Sequence, residues 1–253
     1  MALSPPAVNE VRFSIIIPVL HEQERIGACL EDLRDQGLVD ARQIIVVDGD
    51  PAGGTIDLVR DKDVLCLKGA PGRASQMNTG AAVAEGRILL FLHADTTLSP
   101  GALEKISRIM ATRECVGGAF DLAIDSDRLF LKYIAMRASF RSRLNRIPYG
   151  DQAMFVDRAY FESIGGFREI PIMEDMDLMR RIKKDGKKIH IFRDRVLTSP
   201  RRWEAEGPLY TTLRNQFLVL MYYLGVSPER LVSLYRPQSE IEPGSDPVRG
   251  VSE

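Results

Sequence analysis

The sequence predicts an α/β fold built on a largely parallel β-sheet. Between residues 12 and 98, short apolar runs rich in β-branched residues alternate with helical patterns, which indicates right-handed β-α-β crossovers. The first run, RFSIIIPVL at 12–20, is almost continuously apolar, as in a central strand buried on both faces. With 253 residues, 45% of them hydrophobic and 27% charged, the chain can bury one large core.

The first half contains predicted strands separated by helices. After the first strand, Ile26, Cys29, Leu30 and Leu33 fall on one helical face, and this helix is predicted to end near Gly37. The next predicted elements are a strand at 43–48 (QIIVVD), a helical turn at 55–60, a strand at 64–67, a helix at 74–84 and a strand at 87–92. Because ligands bind at the carboxyl ends of such strands, the polar residues after each strand are the candidates for a functional site.

The second half is predicted to continue the same sheet with strands in mixed directions. Its predicted elements are a helix at 100–111, a strand at 117–124, a basic amphipathic helix at 129–146, a strand at 152–157, a helix ending at Gly165 and Gly166, a helix at 174–184 and a strand at 189–192. Beyond residue 236 the chain is rich in Pro, Ser and Glu, which predicts disorder.

Charge and cysteine content exclude several classes of function. Lys and Arg number 34 against 35 Asp and Glu, so no net positive field would attract a nucleic acid. Cys29, Cys66 and Cys115 lie far apart in apolar segments, and we expect free thiols in a reducing compartment. Residues 1–10 do not resemble a signal peptide, and the apolar run at 217–226 is about half the ~20 residues that span a bilayer. We therefore expect a cytoplasmic protein that binds no nucleic acid.

Carboxylates at strand ends and at one helix start form the strongest candidate site. Asp48 ends one predicted strand, Asp95 follows another, and Glu174 and Asp175 open a predicted helix. A carboxylate held at such a position can bind a nucleobase or a hard divalent ion, which prefers oxygen ligands. Each also has a structural interpretation, because Asp is an ordinary turn residue and acids stabilise helix N-termini.

Five segments, in order, resemble the motifs of inverting family 2 glycosyltransferases with the GT-A fold. These segments are SIIIPVLHE, VVDGD, GRASQMNTGAAVAEGRILLFLHADT, YGDQAMF and MEDMDLMRRI. The resemblance covers about residues 13–203 and is greatest to the bacterial transferase 2 group associated with radical-SAM and selenium-related genes. It implies a single catalytic domain at 12–204, with a Rossmann-like nucleotide-binding half at 12–98, a mixed-sheet acceptor half at 99–204, a helical C-terminal extension at 205–235 and a disordered tail at 236–253.

The resemblance implies a nucleotide diphosphate sugar as donor, which we predict to be a UDP-sugar, and a divalent metal, Mn²⁺ or Mg²⁺. By position, Asp48 matches the residue that pairs with the uracil edge, and Asp95 matches the last aspartate of the metal-binding DXD element. Asp175 matches the catalytic base of the ED motif, and Glu174 precedes it. The other positions assigned to donor binding are Pro18, Glu22, Gly49, Arg73, Asn78, His93 and Ala94.

The sequence departs from the family pattern at three positions in these motifs. His93 stands where the first aspartate of DXD is usual, Val47 replaces the first of two aspartates, and His21 stands where asparagine is common. Because imidazole binds Mn²⁺, His93 is predicted either to join Asp95 as a metal ligand or to donate a hydrogen bond to the diphosphate. A structural role for His93 is the alternative.

The acceptor side is less clearly marked. Asp151 and Gln152 are assigned to it, and Trp203 is either a sugar-stacking residue or a core residue. The segment 209–235 is apolar enough to pack on the domain, form a homodimer or lie on a membrane, and packing or dimerisation is the favoured interpretation.

The predicted function is inverting sugar transfer to an acceptor hydroxyl, with Asp175 as general base. The alternatives are a degenerate binding protein without catalysis and a nucleotidyltransferase, although the latter predicts a Gly-rich loop after the first strand that the sequence lacks.

Overall fold

An eight-stranded sheet runs through the computed structural model, which describes residues 13–35 and 42–235. The strands are β1 (Phe13–Val19), β2 (Arg42–Asp48), β3 (Val64–Lys68), β4 (Ile88–Phe91), β5 (Thr96–Thr97), β6 (Gly117–Ile124), β7 (Met154–Asp157) and β8 (Ile189–Thr198). Their order across the sheet is β3-β2-β1-β4-β7-β6-β8-β5. The pairs among β1 to β4 are parallel, as is the pair β6–β8, whereas β7 and β5 run antiparallel to their neighbours. The predicted α/β fold with a mixed second half is confirmed.

The helices are α1 (Ile26–Asp35), α2 (Arg73–Ala82), α3 (Ala102–Thr112), α4 (Leu129–Asn145), α5 (Arg158–Ser163), α6 (Glu174–Lys184), α7 (Arg201–Glu206), α8 (Pro208–Tyr223) and α9 (Pro228–Leu231). Single 3₁₀ turns lie at Ile56–Leu58, Gly150–Gln152 and Val232–Leu234. Most predicted elements are present within a few residues of their expected bounds. The predicted end of the first helix at Gly37 and the predicted disordered tail lie outside the described residues.

Three local predictions differ from the structure. The strand expected at 152–157 begins at Met154, because the preceding residues form a 3₁₀ turn. The strand expected at 189–192 continues to Thr198, since its charged second half lies at the exposed side of the sheet and lacks an apolar pattern. Helix α7 crosses residue 204, where the boundary between catalytic domain and extension was placed.

Two apolar clusters cover the two faces of the sheet. Ile15 and Ile17 of β1 belong to one cluster, and Ile16 between them belongs to the other. This alternation follows from the geometry of a strand, whose successive side chains point to opposite faces. Helices α1 and α3 pack on the first face, and α2, α5 and α6 pack on the second. The first strand is therefore central and buried on both faces, as predicted.

The strand directions bring the functional candidates to one edge of the sheet. Because β1, β2, β4, β6 and β8 run in the same direction, their C-terminal ends lie at a common edge, and the antiparallel β7 starts there. The segments after β4 and β8, the turn before β7 and the start of α6 can therefore meet. This is the ligand-binding edge expected for a sheet of this type.

Side chains complete the sheet where β6 changes register after Phe120. Backbone groups that leave a ladder need other partners when they are buried. The side-chain Nε2 of Gln152 donates to the carbonyl oxygen of Phe120 at 2.7 Å, and the backbone N–H of Leu122 donates to Oγ of Ser139 at 2.9 Å. The turn before β7 and helix α4 are thereby fixed to β6.

The cysteines are free thiols, as predicted, with Cys29 and Cys115 buried and Cys66 half-buried. Burial raises the pKa of Cys29 to about 12, so it stays protonated. Among the described residues, every helix is too short or too polar to cross a lipid bilayer.

Gly118 of β6 lies between two neighbouring strands without room for a side chain, since a Cβ there would overlap the carbonyl oxygen of His190. We expect Gly118→Ala to lower the free energy of unfolding by about 3 kcal/mol, the upper part of the usual range for overpacking. Urea unfolding followed by circular dichroism measures the change. The matched control is Gly27→Ala, because Gly27 lies in α1 with open space around it. Equal stability of the two variants would contradict this description of β6.

Candidate active site

Asp175 lies at the centre of the common edge, in the first turn of α6. Its Oδ2 accepts a hydrogen bond from the backbone N–H of Gly150 at 2.7 Å, and its Oδ1 accepts one from the N–H of Met176 at 2.6 Å. His93 approaches the same glycine, since a Cβ on Gly150 would lie 3.3 Å from Nε2 of His93 and 3.6 Å from Oδ2 of Asp175. The turn at Gly150–Gln152 therefore brings together candidates from the end of β4 and the start of α6.

Burial raises the pKa of both Glu174 and Asp175. The negative charge of Asp175 raises the pKa of Glu174 further, and Arg73 opposes this rise. For Asp175, the two backbone N–H donors and the charges of Arg73 and Arg141 oppose the effect of burial. Because hydrogen bonds to a carboxylate favour its charged form, the two backbone N–H groups that Asp175 accepts favour its ionisation.

Arg73 begins α2 and faces these acids. Desolvation lowers the pKa of Arg73, but the interactions with Tyr235, Glu174, Asp175 and Asp95 raise it above its ordinary value. The residue itself stays exposed to solvent, which screens each of these interactions. Arg73 therefore lines the cleft as a charged side chain that solvent can reach.

Asp151 adds a third acid to the cleft. Its Oδ1 is buried and has no hydrogen-bond partner among the described residues. Burial raises the pKa of Asp151 to about 6; Asp175 and Asp95 also raise it, while Arg141 and Arg73 lower it. An unsatisfied carboxylate oxygen beside the other acids is free to accept a hydrogen bond from a ligand.

Arg201, the first residue of α7, was not predicted as a site residue. Its Nη1 donates to Oε2 of Glu22 at 2.8 Å, its Nη2 bonds the other oxygen of Glu22, and Nη2 lies 3.0 Å from Oδ2 of Asp95. The sequence signal was the pair of arginines in SPRRWE. The sequence analysis assigned the neighbouring Trp203 to the acceptor side but gave Arg201 no role.

His93 and Asp95 are the residues that fit a divalent ion. Burial and the charges of Arg73 and Arg201 lower the pKa of His93, with Asp95 opposing, so its imidazole is neutral near pH 7. Within residues 13–35 and 42–235, no group of three or more His, Cys, Asp or Glu forms a complete metal cage. Ions of the Mg²⁺ type are commonly held by one or two carboxylates together with substrate phosphates. A carboxylate and a neutral imidazole are ligand types that such an ion accepts. Binding of a metal by Asp95 and His93 stays a prediction.

Asp48 lies at the same edge, but its carboxylate is engaged by the protein. It is fully buried, its Oδ1 accepts the N–H of Asp50 at 2.9 Å, and its Oδ2 accepts the N–H groups of Thr55 and Ile56 at 3.0 and 3.3 Å. The carboxylate closes the turn after β2. Recognition of a nucleobase by Asp48 stays a prediction.

Three other candidates make structural contacts. Nδ2 of Asn78 donates a hydrogen bond to the carbonyl oxygen of Phe167 at 2.9 Å, and Oδ1 of Asn78 accepts one from the backbone N–H of Phe167 at 3.0 Å. Gln152 is fully buried and accepts a hydrogen bond from Oγ of Ser142 at 2.7 Å. Trp203 packs, partly buried, against the core cluster of the first face. The remaining residues predicted to bind the nucleotide sugar lie at strand ends on the common edge: Pro18, Gly49 and Ala94.

The backbone around the site adopts left-handed conformations at non-glycine residues. His21 follows β1 with φ 56°, Ala153 follows the 3₁₀ turn with φ 48°, and Met173 precedes α6 with φ 69°. Such conformations are uncommon for residues with a Cβ and persist where the surrounding structure imposes them. The segments that carry the site are thus held in defined positions.

Comparisons with known proteins agree with this fold. The family model described as Glycosyl transferase family 2 matches residues 14–168. A mannosyltransferase from Pyrobaculum calidifontis, in complex with GDP-Man and Mn²⁺, has a TM-score of 0.62 and 19% sequence identity, covering 85% of this chain and 63% of that chain. S. aureus TarS 1–349 in complex with UDP has a TM-score of 0.59 and 15% identity, covering 74% and 60%.

This chain therefore spans less than two thirds of the length of either structure. No curated protein matches the sequence significantly. The likeness confirms the predicted α/β fold of the GT-A type. The closer resemblance to the radical-SAM-associated group stays a prediction.

Asp48→Ala is expected to lower the free energy of unfolding by about 1–3 kcal/mol, because it leaves buried N–H groups without an acceptor. Thermal unfolding followed by circular dichroism measures the loss. Asp50→Ala is the control, since Asp50 accepts hydrogen bonds from the N–H groups of Ala52 and Gly54 near the surface, where water can replace it. If both variants lost the same stability, the Asp48 carboxylate would not be what closes the turn.

Proposed function

Because the chain belongs to glycosyl transferase family 2, we propose that it transfers a sugar from a nucleotide diphosphate sugar to an acceptor hydroxyl, with inversion at the anomeric carbon. The observation that carries the proposal is the position of Asp175, held by the N–H of Gly150 beside His93. Structural neighbours in complex with GDP-Man or UDP support a nucleotide sugar as donor. A UDP-sugar is the donor that we predict.

Asp175 is the general base of the proposed reaction. A base must reach the proton that it removes by a hydrogen bond, and each oxygen of Asp175 keeps a lone pair beside the N–H that it accepts. As the acceptor oxygen bonds to the anomeric carbon, its proton passes to Asp175 and the bond to the diphosphate breaks, its electron pair leaving with the phosphate oxygen. The two N–H groups that Asp175 accepts favour its ionised form, which the step requires.

Positive charge on the donor side stabilises the leaving diphosphate. Arg73 stands at the start of α2, where the first N–H groups of the helix also favour an anion. Arg201 lies at the same edge and compensates part of the negative charge of Glu22 and Asp95. A divalent ion, Mn²⁺ or Mg²⁺, would be held by Asp95 and His93 and would supply further charge stabilisation to the diphosphate.

On the acceptor side, Asp151 is the residue that we propose to contact the acceptor, through its unpaired Oδ1. Gln152 and Trp203 support this side through packing and hydrogen bonds. The alternative of a binding protein without catalysis is motivated by His93 and Val47, which replace usual aspartates. Turnover of the donor separates the two functions.

Donor binding is expected to depend on Mn²⁺ and on Asp95. In isothermal titration with UDP or GDP, Mn²⁺ should tighten binding, and Asp95→Ala should remove about tenfold or more of that gain, because a metal contributes several kcal/mol of charge stabilisation. Asp57→Ala is the control, since Asp57 is exposed in the 3₁₀ turn after β2. Equal enhancement by Mn²⁺ in the Asp95→Ala variant would remove Asp95 as a metal ligand.

Asp175→Asn is expected to lower kcat by about 10²- to 10⁴-fold while leaving nucleotide binding nearly unchanged, since it removes only the general base. Release of the nucleoside diphosphate from a bound nucleotide sugar, with water or an added acceptor, measures the rate. Glu169→Gln is the control, because Glu169 is exposed in the loop before the same helix. Binding without turnover in the unmodified protein would favour the non-catalytic alternative, and an unchanged kcat in Asp175→Asn would eliminate Asp175 as the base.

A further inference from the structure

Helix α4 turns its large apolar side chains away from the protein. Its buried residues are Leu131, Ala135, Ser139 and Ser142. Its exposed large apolar residues are Leu129, Phe130, Tyr133, Met136, Phe140 and Leu144. Phe140 is 61% exposed and Leu144 is 76% exposed, so large apolar side chains lie in solvent beside the exposed Lys132 and Arg137. The exposed side of a surface helix in a globular protein is usually polar and charged.

Helix α8 also exposes large apolar side chains. Its buried residues are Thr211, Arg214 and Leu218, and Arg214 is ion-paired with Glu206 at 2.5 Å. Its exposed large apolar residues are Leu209, Tyr210, Leu213, Phe217, Leu220 and Tyr223. Helices α4 and α8 contact each other. We call the exposed apolar residues of the two helices the apolar face, and a surface of this extent indicates an interaction site.

The apolar face is accompanied by positive charge. Exposed basic residues lie on or beside α4: Arg128, Lys132, Arg137 and Arg146. Lys132 contacts Asp127, but both side chains are exposed and such pairs are weak. The sequence contains no Asp or Glu at 128–150 or at 207–228. A partner for this face must therefore be apolar and negatively charged.

We propose that the apolar face docks on the surface of an anionic lipid bilayer. A bilayer offers acyl chains to the apolar side chains and anionic headgroups to the basic ones. A second copy of the chain fits less well. In a symmetric dimer the basic residues of both copies would share one interface to which 128–150 and 207–228 contribute no Asp or Glu, and like charges repel.

The docked face lies next to the cleft. The guanidinium of Arg141 on α4 lies 3.3 Å from the ring centroid of Tyr149, and Oγ of Ser142 donates to Gln152 in the turn that holds Asp175. Because Ser142 lies on the buried side of α4, docking through the exposed side would place the acceptor side of the cleft about 10 Å, one helix diameter, from the bilayer. This consequence for the acceptor rests on the proposed function, whereas the docking itself does not.

Co-sedimentation of the full chain with vesicles tests the proposal. We expect binding to vesicles of phosphatidylglycerol mixed with phosphatidylcholine to be at least about tenfold tighter than binding to phosphatidylcholine alone, because the basic residues add electrostatic attraction. Added salt should weaken it. Absence of sedimentation with the anionic vesicles would overturn the proposal, and unchanged donor binding in that case would leave the proposed function intact.

Variants locate the surface. Phe140→Glu on α4 and Phe217→Glu on α8 are each expected to weaken vesicle binding by about tenfold, since each puts an acid into the apolar face. Val83→Glu is the matched control, because Val83 is 41% exposed at the end of α2. Circular dichroism checks that all three fold. Vesicle binding unaffected by both α4 and α8 variants, or a dimer seen by light scattering that Phe140→Glu dissociates, would overturn the proposal.

Discussion

The hydrogen bond from the N–H of Gly150 to Asp175 joins the two parts of the molecule on which the site depends. On one side of it, the turn before β7 is fixed to β6 by Gln152 and to α4 by Ser142. On the other side, α6 packs on the opposite face of the sheet. Asp175 therefore has a defined position because β7 is antiparallel to β4 and starts beside the end of β4. The direction of one strand decides where Asp175 lies.

The electrostatics of the cleft follow from the same convergence. Burial raises the pKa values of Asp151, Glu174 and Asp175, and nearby acids add to this rise for Asp151 and Glu174. Arg73 at the start of α2 opposes the rise in all three. Arg201 is held between Glu22 and Asp95, so the cleft is partly neutralised by the protein itself. In the proposed reaction, a diphosphate and its ion would bind where acidic and basic side chains of the protein already compensate part of each other's charge.

The sequence was sufficient for the architecture and for part of the site. The buried strands and the α6 start were predicted because apolar runs and helix-start acids are local signals, and this placed Asp95 and Asp175 at one edge. The end of β8 was misplaced because its charged second half has no apolar alternation, and Arg201 was given no role although the neighbouring Trp203 was assigned to the acceptor side. The structural contacts of Asn78 and Gln152 were not predictable, since their partners are backbone groups far along the chain.

The hydrogen bonds that position the candidate site also determine which side of α4 is exposed. Periodicity in the sequence predicts that a helix has two sides, but not which side faces inward. Here the backbone of β6 after its register shift and the side chain of Gln152 need hydrogen-bond partners, and Ser139 and Ser142 supply them. Ser139 can reach β6, and Ser142 can reach Gln152, only if the side of α4 that carries them together with Leu131 and Ala135 faces the sheet. Because unsatisfied buried polar groups are costly, this requirement outweighs burial of the aromatic side, which is left at the surface beside the cleft.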